Sequence, residues 1–502
     1  MSSTVRPRMT GLIVFGSRIV SAATGFVFLV MVARWLAPAQ LGLWEFIVDL
    51  IVFASYPAGF LTYWAARDVA RGKVVGKTTL VLNLLASMLG VAIFLAFALA
   101  SYSEVGSSVG PFILAVVLVP LSYWNQATSA LVGGYNPAIG AYSLLASEPA
   151  KLIAAYPLLF VFKLRIEGVI IAIAVSYFVQ AAVSTYQLRV VSSERVDFAL
   201  GRKWLRDPYV PGLMTLTYVL GVADTFAASV GQGGTSLAGY YQAAFQVAAI
   251  VSYSTFLSVA LYPLLLRERS DKLMGEVLEF SLLFAIPMAA GAIALAPQIL
   301  YLLSPAYVVS STALEFLSLS AIVTLVSTVF DQTLTGRERA DLDEERGRTR
   351  SILRSDLMFV PIANLTYSAV YIGIVFLLGS YVAAGDAPAY QFAAYWAVAQ
   401  LALSCVLVAV KARRLSGKAR LYLSPSLPLY VVSGIVMAIA VRYFGVAILP
   451  AGLETVSYGL RLALTVVVGA VLYFGVLFVV DHKFRRYART LFNIVSSLAA
   501  GG

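Results

Sequence analysis

Two acids stand one helical turn apart, Glu45 and Asp49, in the passage "ARWLAPAQLGLWEFIVDL" (residues 33–50), whose second half is otherwise almost wholly apolar. Arg18 lies seven residues into the first apolar run, and Asp224 sits within the apolar "YVLGVADTFAASV". A guanidinium is a planar, permanently charged fork suited to bidentate phosphate binding. An acid deep in an apolar helix is a cation or proton site, or the partner of an arginine. Glu45, Asp49, Val52, Tyr56 and Tyr63 recur at three- and four-residue spacing and share one helical face. A carboxylate against acyl chains costs about 2.5–3.5 kcal/mol on insertion scales, so this stripe must face protein or water. It faces either a polar cleft or a neighbouring helix through hydrogen bonds. For Arg18 the readings are anion binding, a structural salt bridge, or snorkelling. Arg34, beside Trp35, is a mouth residue or an interfacial anchor. Glu148 and Lys151, three apart, are placed to pair with each other.

Other chemistry is scarce. One Cys and one His exclude an intrachain disulfide and a Cys/His zinc site. Cys405 falls in an apolar run as a small buried hydrophobe, and His482 lies in the basic tail. There is no phosphate-binding glycine loop and no His-Glu-x-x-His. The loops opposite the basic ones are too short for a catalytic domain. These features predict a protein that is not an enzyme and that uses neither cofactor nor metal.

The elements that position the charges follow from composition. The chain has 502 residues, 60% hydrophobic and 12% charged, against about 25% charged in soluble domains. That much apolar surface requires lipid as solvent. Apolar stretches of spanning length fall near 11–33, 41–64, 79–101, 111–133, 142–162, 168–189, 209–230, 238–266, 280–303, 311–334, 356–380, 389–410, 427–449 and 457–480. The expectation is an all-α integral membrane protein with 14 transmembrane helices. With the N-terminus inside, 29 of the 36 basic residues fall in cytoplasmic segments, among them 411–420. The positive-inside rule therefore places both termini in the cytoplasm. The net charge of +11 is explained by anionic membrane lipid, without nucleic acid. The charged stretch 336–356 mixes both signs and reads as a solvated loop or short helix.

Residues 41–56, "LGLWEFIVDLIVFASY", align without a gap on 238–253, "AGYYQAAFQVAAIVSY". Gly42 meets Gly239, Trp44 meets Tyr241, Glu45 meets Gln242, Asp49 meets Gln246, and Tyr56 meets Tyr253. The offset of 197 residues, six helices, preserves orientation and predicts a parallel repeat. Asn125-Gln126 and Asp331-Gln332 are a second, looser echo. Two pseudo-symmetric six-helix bundles follow, residues 1–205 (helices 1–6) and 206–415 (helices 7–12). Residues 416–502 add helices 13 and 14 and a basic cytoplasmic tail.

On this pattern "ARWLAPAQLGLW" resembles the helix 1–2 signature of the polysaccharide-export and O-antigen flippase family, with Ala37 in place of the usual Gly. Asp224 followed by "LAGYYQAAFQ" and "ALYPLLL" resembles its helix 7–8 pattern, and "TLTGR" (333–337) the end of its helix 10. The family belongs to the MATE-like superfamily of multidrug, oligosaccharidyl-lipid and polysaccharide exporters. The resemblance implies alternating access and translocation of a polyisoprenyl-diphosphate-linked oligosaccharide across the cytoplasmic (plasma) membrane. It implies Arg18 and Arg34 on the diphosphate, and Glu45, Asp49, Tyr56, Gln242, Gln246 and Tyr253 on the sugars. Asp224 is the candidate site for a coupling Na+ or H+. The expected partners are the lipid-linked oligosaccharide, membrane lipids and glycan-assembly enzymes. The rival expectation is a cation-coupled exporter of drugs or small metabolites.

Overall fold

A computed structural model describes residues 7–103, 105–206, 209–230, 234–255, 271–337, 355–384, 388–416, 425–449 and 454–486. Among the described residues the chain is all-helical and has no strand. Among these residues eleven helices are long and apolar enough to span a membrane, and a twelfth span is counted if the bent pair α2 (Pro38–Ala54) and α3 (Tyr56–Ala70) is one crossing. The protein is a multi-pass membrane protein. Two of the 14 expected spans are not among these. The stretch 209–230 breaks into α10 (Tyr209–Gly221) and α11 (Asp224–Ala228), and α12 (Gly234–Ser252) is followed by residues outside the described set. "ALYPLLL" and most of 336–356 also lie outside it.

Two helices are inside-out relative to those of a water-soluble protein. In α4 (Gly76–Ser101) the buried stripe is Thr79, Asn83, Ser87, Gly90, Phe94 and Ala98, while Leu84, Leu85, Met88 and Leu89 point outward. Small and polar residues let helix backbones approach, and lipid solvates the aliphatic face. The last helix repeats the pattern, burying Tyr458, Leu462, Thr465, Gly469 and Tyr473 and exposing Val456, Leu460, Leu464 and Val471.

The second expected span is not straight. It bends by 56° between α2 and α3. Pro57, the second residue of α3, has no N–H to donate one turn back. Groups around the bend are satisfied from other helices and locally. The Tyr123 hydroxyl donates to the Ala54 carbonyl at 2.7 Å, and the Ser55 hydroxyl donates to the Ile51 carbonyl at 2.7 Å. The stripe read as one face from Glu45 to Tyr63 is therefore two faces, divided at Ser55.

Contacts divide the chain into two compact units, Met1–Ala243 with Pro361–Ala393, and Ala244–Val360 with Ala394–Gly502. In the first, α1 (Pro7–Trp35) packs on α7 (Pro137–Tyr156), α7 on α8 (Ile166–Gln187), and α6 (Leu118–Tyr135) on α3 and α4. In the second, α13 (Asp271–Ala294) carries Pro287, which leaves the Leu283 carbonyl without its usual donor. The Tyr473 hydroxyl donates to that carbonyl at 3.1 Å, which ties the last helix to α13. The ion pair Arg414–Asp356 (3.0 Å) is also here, as is Glu279, held by the Tyr430 hydroxyl (3.1 Å) and Lys483 (2.9 Å).

Candidate functional site

Asp49 is buried in α2, and its Oδ2 accepts the Phe226 N–H at 2.9 Å. Phe226 lies in the first turn of α11, where backbone N–H groups have no acceptor within the helix. The break before α11 frees that group: the Val222 and Ala223 N–H bonds reach back only three residues, at 3.4 Å each. Asp224 opens α11 and is itself buried. Its Oδ1 accepts the Thr225 N–H at 2.9 Å, and its Oδ2 accepts the Tyr371 hydroxyl at 3.0 Å. Tyr371, in α16 (Asp356–Ala384), lies with its hydroxyl 2.9 Å from that of Tyr241 on α12. Gln242 Nε2 donates to Thr225 Oγ1 at 2.6 Å. Four helices from three separated regions of the sequence thus converge on two acids held by amide and hydroxyl donors.

Aromatic rings close over this centre. Phe226 stacks on Phe46 at 5.4 Å and 10°, and Phe53 and Phe97 meet it edge-on. One turn before Phe46, α2 crosses α12 backbone to backbone. A Cβ on Gly42 would collide with the Thr235 carbonyl, and one on Gly239 with the Pro38 carbonyl. Pro38 and Thr235 are 197 apart, as are Gly42 and Gly239. The two contacts are therefore reciprocal across the repeat, the pattern of a two-fold crossing. Only glycine allows this approach.

A second polar cluster joins α1 and α7. Glu148 is buried, and it accepts the Ser21 hydroxyl (3.1 Å), the Thr24 hydroxyl (2.8 Å) and the Lys151 ammonium (2.7 Å). Lys151 also lies over the Phe28 ring at 5.2 Å. The pairing expected from the three-residue spacing is present, and two hydroxyls of α1 complete it.

Of the sequence-predicted site residues, Asp49, Asp224 and Gln242 are brought together. Glu45 and Tyr56 are half-buried in the same unit, and the Tyr56 hydroxyl is 3.5 Å from the Gly212 carbonyl. Arg18 is exposed on α1, one turn before Ser21, and Arg34 is half-buried near the end of that helix. Gln246 is half-buried and Tyr253 exposed, and both fall in the second unit. Sequence reasoning missed Tyr371, Tyr241 as a hydrogen-bonding group, and Thr225. It also placed Lys411 in a basic loop. Lys411 instead lies inside α17 (Ala389–Ser416), fully buried, with its ammonium 2.7 Å from Asp331 and from the Ser327 hydroxyl. An apolar run that continues past a lysine, with an Asp or Glu in an earlier run, is the signal that was available. Cys405, expected buried, is exposed. Its surroundings on the outer face of α17 are as apolar as a core, and hydropathy does not separate the two.

No protein-family model matches the sequence, and a search of curated proteins finds no relative. Solved structures do share the fold. An inward-facing multidrug-resistance transporter of the MATE family, in the MOP superfamily, aligns at TM-score 0.58 and 15% identity, covering 81% of this chain and 98% of its own. The lipid II flippase MurJ, in an inward closed conformation, aligns at TM-score 0.61 and 12% identity, covering 93% of this chain and 100% of its own. A MATE structure in the bent conformation aligns at TM-score 0.52 and 16% identity, covering 82% of this chain and 96% of its own. The chain shares its fold with these solved structures.

Proposed function

We propose that this protein is a flippase that moves a polyisoprenyl-diphosphate-linked oligosaccharide across the cytoplasmic membrane by alternating access. The observation that carries this reading is coverage. The lipid II flippase aligns over 93% of the chain, the exporters over 81% and 82%. The difference, 11–12% of the 502 residues, is about the length of the last two helices, Leu427–Ile448 and Thr455–Val480. Two further apolar helices suit a substrate with a long lipid tail. Arg18 and Arg34 on α1 would hold the diphosphate. Glu45, Asp49, Tyr56, Gln242, Gln246 and Tyr253 would meet sugar hydroxyls at some stage of the cycle, and no organic cofactor takes part. Both termini would lie in the cytoplasm, near the enzymes that assemble the glycan.

The reciprocal Gly42–Gly239 crossing then acts as a gate. To open it, α2 and α12 must separate and the Asp49–Phe226 hydrogen bond must break. An equilibrium of this kind shifts only if a ligand binds the two states unequally. The substrate supplies the bias through its polar contacts, and a proton or Na+ at Asp224 supplies the rest.

The decisive test is export of lipid-linked glycan in a deletion strain carrying Arg18→Ala. Export is lost while the protein remains in the membrane at wild-type abundance. Normal export by that variant overturns the anion role. The buried acids Asp49 and Asp224 favour a second reading, a cation-coupled exporter of drugs or metabolites. A deletion strain that is drug-sensitive, in which the wild-type gene restores resistance while glycan export is the same with and without the gene, would select it.

A further inference from the structure

The connection between α8 and α10 carries a short helix, α9 (Phe198–Arg206), that has three distinct faces. One is buried. Trp204 packs among Leu61, Ala65, Val69 and Leu188, and its indole N–H donates to Asp68 Oδ2 at 3.0 Å. Gly201 sits against Leu82 of α4. The second face is apolar and uncovered, with Phe198 and Leu205, seven residues apart, 59% and 54% exposed. The third is basic and exposed, with Arg202, Lys203 and Arg206.

The charge around α9 is not balanced by its acids. Segments 67–77 and 189–206 together hold nine basic residues and three acids. Each acid is occupied within the fold. Asp68 takes Lys73 (2.7 Å) and Trp204, Glu194 takes the Thr78 N–H (2.8 Å), and Asp197 takes the Ala199 and Leu200 N–H groups (2.9 and 3.1 Å). Asp197 thereby caps the first turn of α9. Arg67, Arg71, Lys77, Arg189, Arg195, Arg202, Lys203 and Arg206 are all exposed. Arg189 lies over the exposed Tyr186 ring at 4.6 Å. A helix with aromatic and aliphatic side chains beside a basic face is the pattern of an interfacial membrane anchor.

We infer that α9 and the basic ends of α3, α4 and α8 form a docking surface for anionic phospholipid headgroups. Phe198 and Leu205 would enter the acyl boundary, and Arg202, Lys203 and Arg206 would lie on the phosphates. A basic residue at such a surface is attracted to acidic lipid through several ångströms of water, and salt weakens the attraction. The Trp204–Asp68 bond fastens this helix to α3, so lipid held at α9 is held against the fold itself.

The test uses the full chain in nanodiscs and needs no transport assay, so its outcome is independent of the flippase reading. Cys405 is the sole cysteine and is exposed, so Leu205→Cys in a Cys405→Ala background takes one environment-sensitive fluorophore at α9. In phosphatidylcholine discs the label reports water. Added phosphatidylglycerol shifts its emission to the blue, and 0.5 M salt reverses the shift. In the R202Q/K203Q/R206Q variant the shift falls by at least about threefold, whereas R202K/R206K retains it. Equal emission in the two lipids, or a full shift in the triple-glutamine variant, overturns the inference. Should the triple variant fail to fold, absence of salt reversal in the parent does so alone.

Discussion

Two of the ionisable centres, one from each compact unit, use opposite chemistry. Asp49 and Asp224 in the first unit are held by backbone N–H groups and a tyrosine hydroxyl. Asp331 in the second is held by Lys411, whose own side chain is 1% exposed. The ion pair behaves as a fixture, because the fully buried Lys411 ammonium is compensated by the Asp331 carboxylate. The acid centre is different, since neutral donors hold a carboxylate without fixing its charge. A proton, a cation or a substrate hydroxyl can therefore change its state with little rebuilding. Its location matters too. The Asp49 bond spans α2 and α11 next to the glycine crossing, where a small change in charge meets a tight mechanical contact. The acid centre has the properties of a moving part and the ion pair those of a fastener.

Lys411→Met should bring the largest loss of stability, about 3 kcal/mol, because it removes the buried half of the ion pair on Asp331. Adding Asp331→Asn should restore most of the loss in thermal unfolding of the detergent-solubilised protein. A Lys411→Met protein as stable as wild type would break the distinction. Gly42→Val should come next. The extra atoms meet backbone, so the crossing cannot form, at a cost of about 1–3 kcal/mol and with transport reduced more than tenfold. Tyr371→Phe removes one hydroxyl from Asp224 and should cost about 1–1.5 kcal/mol, read in the same unfolding assay. Asp49→Asn should have the smallest effect on stability, under about 1 kcal/mol, since its amide oxygen still accepts the Phe226 N–H. Its transport should nonetheless fall at least tenfold. Transport unchanged by Asp49→Asn would show that the acid centre is as structural as the ion pair.

Much of the fold is legible in the sequence. Composition alone required lipid, because no soluble core hides this much apolar surface, and the spacing of apolar runs located most of the helices. The alignment of Gly42 with Gly239 pointed to residues that meet in space, since a repeat that packs on itself places equivalent positions on a shared axis. Glu148 and Lys151 were readable as a pair because neighbours three apart on a helix need no knowledge of the rest. Other features were hidden. Pro57 was visible, but a proline bends a helix only where neighbouring groups such as Tyr123 satisfy the nearby carbonyls. Lys411 looked like loop because hydropathy scales weigh a lysine without its partner, and Asp331 lies 80 residues away.

The sequence by itself determined the solvent, the helical class and which residue types carry charge into the apolar layer. These properties depend on side-chain transfer energies, which are local and add along the chain. Tertiary structure alone decided that Asp49 meets the freed N–H of Phe226, that Asp224 meets Tyr371, and that Lys411 meets Asp331. A hydrogen bond or ion pair is a matter of ångströms between distant residues, and only the packed helices set that distance.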